Sequence, residues 1–568
     1  GYSLPLSDVI PILENLGAKS IEEHPYEVLH DGGRTWIHDF VLAFVTTPRD
    51  GLASVKALFE EAFKEVWSGG KENDSFNRLV PAAGMDYRQV KVIRAYSRYF
   101  GQLQSSYSQP FIADCVTRYS AIARSLFELF NQRFNPALNR DKANSRAAKL
   151  QAGILKRIDE VENLGEDRVL RRLLEMVLAT QRTNYYQRDR QRDGLSQCLA
   201  LKLQPALISE MPKPCPAHEI FIYSARVEGV HLRGGKVARG GLRWSDRSED
   251  YRTEVLGLVK AQQVKNSVIV PVGAKGGFLP KQIPNGASRE AVTEEGIACY
   301  KIFIQGLLDL TDNLVQGEVV PPRDLVRHDD DDYYLVVAAD KGTAAFSDIA
   351  NEISIANHFW LGDAFASGGS VGYDHKAMAI TAKGAWASVQ QHFRDIGINP
   401  QDTDFTVVGI GDMSGDVFGN GMLMSKHICL VAAFNHLHIF VDPAPVASTS
   451  FAERQRLFDL PRSSWADYDS QLISRGGGVF NRSAKSIPIS AEMQRRFDIS
   501  ENQLAPNQLL TMILKAQVDL LWNGGIGTYV KSRQESQLDV SDKANDGIRI
   551  NGVDLRCRLI GEGGNLGM

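Results

Sequence analysis

The sequence has few cysteines, and none of them lies in a closely spaced pair. Its 568 residues contain six cysteines and no C-x-x-C motif. In a chain of this length, scattered cysteines are typical of reduced thiols rather than of a disulfide framework or a zinc site. We therefore expect a cytoplasmic protein that holds no metal ion.

Long apolar runs and an excess of positive charge are also missing. No stretch reaches the ~18 apolar residues that a membrane-spanning helix needs, and the net charge is −4 with a pI of about 6.4. These absences argue against a membrane partner and against a general nucleic-acid-binding protein, which usually carries a basic excess. We therefore expect a globular protein. Its 568 residues should form several domains, because one domain rarely exceeds ~250 residues.

Hydrophobic periodicity divides the chain into regions of different character. Apolar residues at helical spacing predict helices near 6–16, 53–67, 119–134 and 168–187, and two strand-like runs flank the turn "HDGG". Beyond Pro212 strands and helices alternate, which is typical of α/β domains. We predict a small α/β module over 1–50, a mainly helical region over 51–211, and two α/β domains over 212–370 and 371–568.

Two charged stretches have ordinary structural interpretations. Residues 181–194, "QRTNYYQRDRQRDG", are interpreted as the solvated end of a helix. Residues 327–335, "RHDDDDYYL", are interpreted as a solvated loop before a strand. The acidic run lacks the fixed ligand spacing of a cation-binding loop, so no metal site is predicted there.

The segment "TDFTVVGIGDMSGDVFGNG", residues 403–421, has the pattern of a strand, a tight glycine turn and a helix. Gly409 and Gly411 permit the turn and let the backbone approach a pyrophosphate, whereas Gly415 falls one residue late for G-x-G-x-x-G. A helix is predicted to end near Phe434, and a second apolar strand then ends in Asp442. An acid there accepts hydrogen bonds from ribose hydroxyls and repels the extra phosphate of NADP, which favours NAD.

A second group of residues surrounds Lys275 in "VPVGAKGGFLP", after the apolar run "SVIVPV". Small neighbours leave room for a ligand to approach the lysine. Arg239, Arg243 and Lys265 complete a set of four cations near glycine turns, which suits a small dicarboxylate substrate. A lysine held away from water beside other cations can act as a base near neutrality.

A partner acid for proton transfer is available in "LVVAADKGTAAFSD". Asp340 comes directly after an apolar strand and before a turn of small residues. The alternative is that this aspartate only stabilises the turn.

Several of these segments together resemble the glutamate dehydrogenases. The motifs "RGGLRW", "VKNSVIVPVGAKGGF", "AADKG", the turn at Gly409 and "GEGGN" occur in the order found in that family. The segments "LWNGGIGTYVK" and "HKAMAITAKGAW" are similar in sequence to the large NAD-specific bacterial form. The similarity covers about residues 216–568, and the first 200 residues loosely resemble the ACT-like regulatory and helical segments that precede that catalytic core.

The resemblance implies a role for each matching residue. Lys275 is the catalytic lysine, Asp340 the catalytic acid and base, and Lys265 the contact of the substrate α-carboxylate. Arg239 stands where the smaller enzymes have a lysine for the side-chain carboxylate, which is a departure because a planar guanidinium differs from a point charge. Positions lining the nicotinamide side of the cleft correspond to Thr381, Asn523 and Asn565.

The expected fold is therefore α/β, with a substrate domain built on a mixed sheet and a doubly wound, Rossmann-like NAD domain. The expected reaction is the reversible, NAD-dependent oxidative deamination of L-glutamate to 2-oxoglutarate and ammonium, by a homo-oligomer. Two alternatives are an amino-acid dehydrogenase with another side-chain specificity and a non-catalytic regulatory subunit on the same fold. Because the chain stops at "GEGGNLGM", we expect the NAD domain to be truncated at its C-terminus.

Overall fold

The structure is a computed structural model that describes residues 5–30, 33–45, 51–69, 71–187, 198–265, 272–284, 286–339, 343, 346–372, 374–461, 463–525, 527–540 and 542–563. The chain forms two compact units, Gly1–Gly369 and Ser370–Met568. The first unit contains the helices α1 (Leu6–Asn15), α2 (Leu52–Trp67), α3 (Leu79–Ala83), α4 (Tyr87–Gly101), α5 (Gln109–Arg118), α6 (Ser120–Phe134), α7 (Arg140–Ile158), α8 (Leu164–Ala179), α9 (Tyr251–Lys265), α10 (Arg289–Leu308) and α11 (Ser347–Ala356).

The strands of the first unit form one large sheet and three small ones. They are β1 (Ala18–His30), β2 (Gly33–Phe44), β3 (Thr180–Thr183), β4 (Leu199–Leu203), β5 (His218–Tyr223), β6 (Val227–Arg233), β7 (Ala238–Arg239), β8 (Leu242–Trp244), β9 (Val272–Pro280), β10 (Asn313–Val315), β11 (Glu318–Val320), β12 (Val337–Ala338) and β13 (Ala366–Ser367). The predicted N-terminal helix and strand pair are confirmed as α1, β1 and β2, and β1 and β2 pair antiparallel.

The helical region ends earlier than the sequence suggests. Helix α8 stops at Ala179, and the next four residues form β3, whose side chains are all buried. The predicted solvated helix end is therefore wrong for 181–183, where Arg182 is fully buried and bonded to Asp312 at 2.8 Å. Residues 188–194 of that stretch lie outside the described part. The sequence of a charged segment does not reveal whether oppositely charged residues far along the chain will pair with it in the interior.

The seven-stranded sheet is mixed, as predicted, with the order β3-β4-β5-β6-β9-β7 and with β8 also pairing to β9. Strands β3, β4, β5, β6 and β9 pair antiparallel in that order, whereas β7 and β8 pair parallel to β9. Helix α9 covers one face and α10 the other, with apolar side chains filling both layers. The sheet begins at Thr180, before the boundary predicted at residue 212.

The acidic run is a loop before strand β12, as predicted, but only part of it is solvated: Asp330 is 92% exposed, whereas Asp332 is buried. Asp332 is buried and accepts hydrogen bonds from Lys202 at 2.6 Å and from Arg233 at 2.9 Å. Asp329 binds Arg182 and Lys202. The prediction missed the burial of Asp329 and Asp332, because their basic partners lie on the distant strands β3, β4 and β6 and nothing in the local sequence shows them.

The second unit contains the helices α12 (His375–Met378), α13 (Ile380–Asp395), α14 (Asp416–Gly421), α15 (Ala447–Asp459), α16 (Ala491–Phe497), α17 (Pro506–Leu514) and α18 (Gln537–Val540). Its strands are β14 (Phe405–Ile410), β15 (Ile428–Phe434), β16 (His438–Val441), β17 (Gly478–Asn481), β18 (Ile487–Pro488), β19 (Gln503–Leu504), β20 (Leu520–Asn523), β21 (Val530–Lys531), β22 (Ile550–Asn551) and β23 (Leu559–Glu562). Six of them form a sheet in the order β17-β16-β15-β14-β20-β23.

In this sheet β15, β14, β20 and β23 are parallel, and β16 and β17 form an antiparallel edge. The helix predicted to end near Phe434 is wrong, because Ile428–Phe434 is strand β15. A parallel strand buried on both faces is a continuous apolar run, and such a run looks the same as a buried helix in sequence. Across the described residues, the helices are all too short or too polar to cross a membrane.

Candidate active site

The predicted catalytic lysine lies inside a strand and not in a turn. Lys275 is in the middle of β9, is 8% exposed, and pairs with Leu232 of β6. Residues 267–271 of the apolar run before it are outside the described residues. The glycine-rich segment thus continues as a strand through Gly276 and Gly277 to Pro280.

The glycines around Lys275 admit protein side chains and not only a ligand. A Cβ on Gly276 would lie 2.4 Å from Leu242 of β8, and one on Gly277 would lie 2.6 Å from Val255 of α9. Gly240 is still more confined, since its Cβ would be 1.3 Å from the carbonyl oxygen of Ala274. The small residues therefore let β8 and α9 pack directly on β9, close to the lysine.

Three of the four predicted cations lie on one face of this sheet. Arg239 pairs with Gly273 and Arg243 with Gly277 in the parallel register of β7 and β8 with β9. Because alternate strand residues share a face, Arg239, Lys275 and Arg243 point to the same side. That side is covered by α9, as the contact between Gly277 and Val255 shows.

Lys265 is the last residue of α9, and only residues 266–271 separate it from the start of β9. Three predicted cations thus lie on one face of β9, and the backbone of α9, which packs on that face, ends at the fourth position, Lys265. Lysine and arginine in this arrangement suit a ligand with two carboxylates, since each can bind one charge.

One acidic group, Glu254, accompanies the cations. Arg243 donates to Glu254 of α9 at 3.0 Å, and Ser245 donates to the same carboxylate at 2.7 Å. Sequence reasoning missed Glu254, although an acid 11 residues after Arg243 in the first turn of a helix is a usable signal. Part of the positive charge is therefore balanced within the protein.

Asp340 lies outside the described residues. The residue before it, Ala339, forms a parallel β-bridge with Leu242, which itself pairs with Gly276. Thr343, also missed by sequence reasoning, is buried and donates to the carbonyl of Leu242 at 2.7 Å. The chain on both sides of Asp340 is thereby attached to β8, the neighbour of β9.

The glycine turn of the second unit has the predicted form of strand, turn and helix. It connects β14 to α14, and Gly411 has a φ of +140°, which favours glycine. A Cβ on Gly409 would lie 2.3 Å from the ring of Phe418, and one on Gly411 would lie 2.6 Å from its Cβ. Gly415 is the N-cap of α14, so the third glycine begins the helix despite its shifted spacing.

Two further predicted cofactor residues meet at the carboxyl ends of the parallel strands. Asn523 ends β20 beside Ile410 and accepts the N–H of Gly525 at 3.2 Å. Thr381 lies near the start of α13, and its Cγ2 would be 3.1 Å from a Cβ on Gly563, which follows β23. Asn565 is outside the described residues.

Asp442 is placed differently. It follows the antiparallel strand β16, and its N–H donates to Val431 of β15 at 2.8 Å, roughly 10 Å before the end of that strand. Its carboxylate is 1% exposed and accepts hydrogen bonds from the backbone and hydroxyl of Ser474. Burial raises the pKa of Asp442 despite these hydrogen bonds.

The sheet of the second unit has the topology of a dinucleotide-binding fold. The strand order reverses at β14, with β15 on one side and β20 on the other, and a crevice outside the carboxyl ends of such strands is where ligands bind in doubly wound sheets. The glycine turn stands at this point. Within the described ranges, no group of three or more His, Cys, Asp or Glu side chains is arranged to hold a metal ion.

The fold and these sites define a class: an α/β protein with a nucleotide-type sheet and a separate sheet carrying a cationic lysine site. Residues 153–568 match the family described as bacterial NAD-glutamate dehydrogenase, catalytic domain. Residues 71–136 match its helical motif 3, and residues 1–54 its ACT3 domain. The chain belongs to the bacterial NAD-glutamate dehydrogenase family.

Curated relatives agree with this assignment. The chain is 60% identical to an NAD-specific glutamate dehydrogenase of Halomonas elongata and 53% identical to one of Mycobacterium tuberculosis, over 100% of its length in each case. It spans 35% and 36% of those proteins, about a third of their length. Among solved structures, glutamate dehydrogenase 2 of Plasmodium falciparum is 14% identical, with 81% of this chain and 76% of that one covered at a TM-score of 0.36.

Proposed function

We propose that this chain is the catalytic part of an NAD-dependent glutamate dehydrogenase, which converts L-glutamate reversibly to 2-oxoglutarate and ammonium. The observation that carries the proposal is the common face of Arg239, Lys275 and Arg243 on β9, with α9 ending in Lys265 on that side. Membership of the bacterial NAD-glutamate dehydrogenase family supports it.

The cations bind and orient the substrate. Lys265 contacts the α-carboxylate, and Arg239 binds the side-chain carboxylate with Arg243 beside it. Holding both carboxylates fixes the α-carbon, so that orientation is provided before any bond changes. Glu254 keeps Arg243 in place by their 3.0 Å hydrogen bond.

Lys275 and Asp340 handle the protons. NAD, when bound, accepts the hydride that leaves the α-carbon. Lys275 then takes a proton from the water that attacks the resulting iminium carbon, and Asp340 relays protons to and from the departing ammonia. The burial of Lys275 and the packing of α9 on β9 keep bulk water from this reaction.

The cofactor interacts with the second unit in this proposal. Gly409, Gly411 and Gly415 shape the turn that approaches the pyrophosphate, and Thr381, Asn523 and Asn565 contact the nicotinamide portion. The sequence predicts that Asp442 binds the adenosine ribose. The switch point of the sheet at β14 supports a dinucleotide in this unit.

A substrate panel separates this function from its alternatives. L-glutamate should drive NADH formation, whereas L-leucine and L-valine should not, because an apolar side chain leaves Arg239 without a ligand. Arg239→Ala should raise the KM for glutamate about tenfold or more by removing a charge-assisted contact. Equal turnover of leucine would favour another amino-acid dehydrogenase, and no turnover of any amino acid would favour a regulatory subunit.

We further propose a cytoplasmic homo-oligomer. All six cysteines are free, which is expected in a reducing compartment. Localisation of the tagged natural protein by fractionation tests the first point, and light scattering tests the second.

A further inference from the structure

The end of β15 carries an asparagine that sequence reasoning overlooked. Asn435 directly follows β15 and is 3% exposed. The N–H of Gly411 donates to the carbonyl of Phe434 at 2.7 Å, so this strand end adjoins the glycine turn after β14. Both lie at the carboxyl edge of the parallel strands, where Asp442 does not.

The amide of Asn435 has a fixed orientation. Its Oδ1 accepts the backbone N–H groups of Leu437 and His438, each at 2.8 Å. Because both of these groups are donors, the amide atom that faces them must be the oxygen, and the nitrogen Nδ2 must be the atom on the opposite side of the amide. That Nδ2 donates to Oδ2 of Asp412 at 2.9 Å.

Asp412 is itself held within the glycine turn. Its Oδ1 accepts hydrogen bonds from the N–H of Ser414 at 3.0 Å, from its hydroxyl at 2.5 Å, and from the N–H of Gly415 at 3.2 Å. Every one of these partners donates, which is what an ionised carboxylate requires. One negative charge is thus fixed between the turn that faces the pyrophosphate and the end of the second parallel strand.

In dinucleotide-binding sheets the adenosine ribose lies at the end of the second parallel strand, where a carboxylate accepts hydrogen bonds from its hydroxyls. The same charge disfavours a 2′-phosphate. We propose that Asp412, positioned by Asn435, selects NAD over NADP in this protein. This inference rests on the proposed function, because it specifies the cofactor site of that reaction.

The test compares four variants of the complete natural protein. Asp412→Asn removes the charge and keeps the acceptor for the turn, whereas Asn435→Ser keeps an acceptor for the turn to β16 and loses the amide Nδ2 that reaches Asp412. Asp442→Asn tests the rival residue. Asp402→Asn is a control for a general loss of charge, since Asp402 is exposed in the loop before β14 and bonded to Asn399.

We expect Asp412→Asn to shift the ratio of kcat/KM for NAD to that for NADP about tenfold or more towards NADP, and more at low salt than at high salt because exposed charges are screened. Asn435→Ser should shift it in the same direction by a smaller factor, and Asp402→Asn should leave it unchanged. An unchanged ratio in Asp412→Asn would overturn the proposal, and a shift in Asp442→Asn alone would assign the selection to Asp442. If Asp412→Asn does not fold, the cofactor ratio of Asn435→Ser tests the proposal, and an unchanged ratio in that variant would overturn it.

Direct titration of NADH and NADPH, followed by fluorescence, separates this inference from the proposed function. If both dinucleotides bind but glutamate is not turned over, the proposed function fails, and the binding ratio still decides the role of Asp412. If neither dinucleotide binds to the wild-type protein, both proposals fail.

Discussion

At the scale of single residues, the glycines of β9 leave space that neighbouring side chains of the protein occupy. Small residues beside a lysine suggested space for a substrate, yet the positions of Gly276 and Gly277 are filled by Leu242 and Val255. The close approach of α9 to the sheet brings its last residue, Lys265, to the side of Lys275. The glycines therefore position the cations through packing.

Replacing Gly277 tests this role. The added Cβ in Gly277→Ala would meet Val255 at 2.6 Å and push α9 away from β9. We expect a loss of about 1–3 kcal/mol in the free energy of unfolding, as for other overpacked cores, together with a raised KM for glutamate. Denaturant unfolding and steady-state kinetics measure both.

Gly257→Ala is the matched control, because that glycine lies within α9 and a Cβ there meets no atom within 4 Å. Helix propensity predicts a gain of about 0.5–1 kcal/mol for this change. If both variants behaved alike, the packing of α9 on Gly277 would have no role in holding the site.

At the scale of elements, the acidic segment and the strands β3, β4 and β6 are joined by buried ion pairs. Asp332 contacts both Lys202 and Arg233. Burial raises the pKa of Asp332, but the charges and hydrogen bonds of Arg233 and Lys202 outweigh it and hold that pKa well below its usual range. The loop is therefore fastened to the sheet by its charges.

This linkage predicts a pH dependence. A carboxylate with a depressed folded-state pKa stabilises the fold above its unfolded pKa of about 3.9, and that stability is lost as the pH falls below this value. Asp332→Asn should lower the free energy of unfolding by about 3 kcal/mol at pH 7, because the buried Arg233 loses its carboxylate partner and Lys202 retains only Asp329. The variant should also lose less stability than the wild type between pH 4 and more acidic values, since this group no longer titrates.

Denaturant unfolding at a series of pH values checks the prediction. Asp330→Asn is the control in the same run, because that side chain is 92% exposed and its pairing with Lys236 at 3.5 Å lies at the surface. A pH profile of Asp332→Asn identical to that of the wild type would show that the network is not the source of the dependence.

The elements and the site were predictable to different degrees. Helices with a clear apolar period, such as Leu52–Trp67, and the N-terminal strand pair were visible in the sequence. Strand β15 was missed because a fully buried strand has no alternation. The strand before Asp442 was predicted but its direction was not, because an apolar run shows only that a strand exists, and β16 runs antiparallel. The cations near Lys275 were predicted. The pairing of Arg243 with Glu254 was not, because it depends on how α9 packs beside β8.

At the scale of the whole molecule, the residues proposed to bind substrate and those proposed to bind the cofactor belong to different compact units. Arg239, Arg243, Lys265 and Lys275 lie in Gly1–Gly369, and the glycine turn lies in Ser370–Met568. Substitutions in one unit should therefore change one ligand's binding more than the other's. A substitution that changes the affinity for glutamate but not for NAD, or the reverse, would show that the two units bind different ligands.

Assembly is a separate prediction at this scale. We expect the complete natural protein to have a molar mass that is an integral multiple, greater than one, of its own chain mass. Multi-angle light scattering after size-exclusion chromatography measures this directly. A mass equal to one chain at micromolar concentration would contradict the proposed homo-oligomer.

The most direct test of the central claim is steady-state turnover of L-glutamate by Lys275→Met in the complete natural protein, with NADH titrations alongside. The proposed mechanism predicts a fall in kcat of about 100-fold or more, the usual scale for losing a positioned base, with NADH binding unchanged. Lys236→Met, at an exposed lysine near Arg239 in sequence, should retain normal turnover. Near-normal turnover in Lys275→Met would contradict the catalytic role of Lys275.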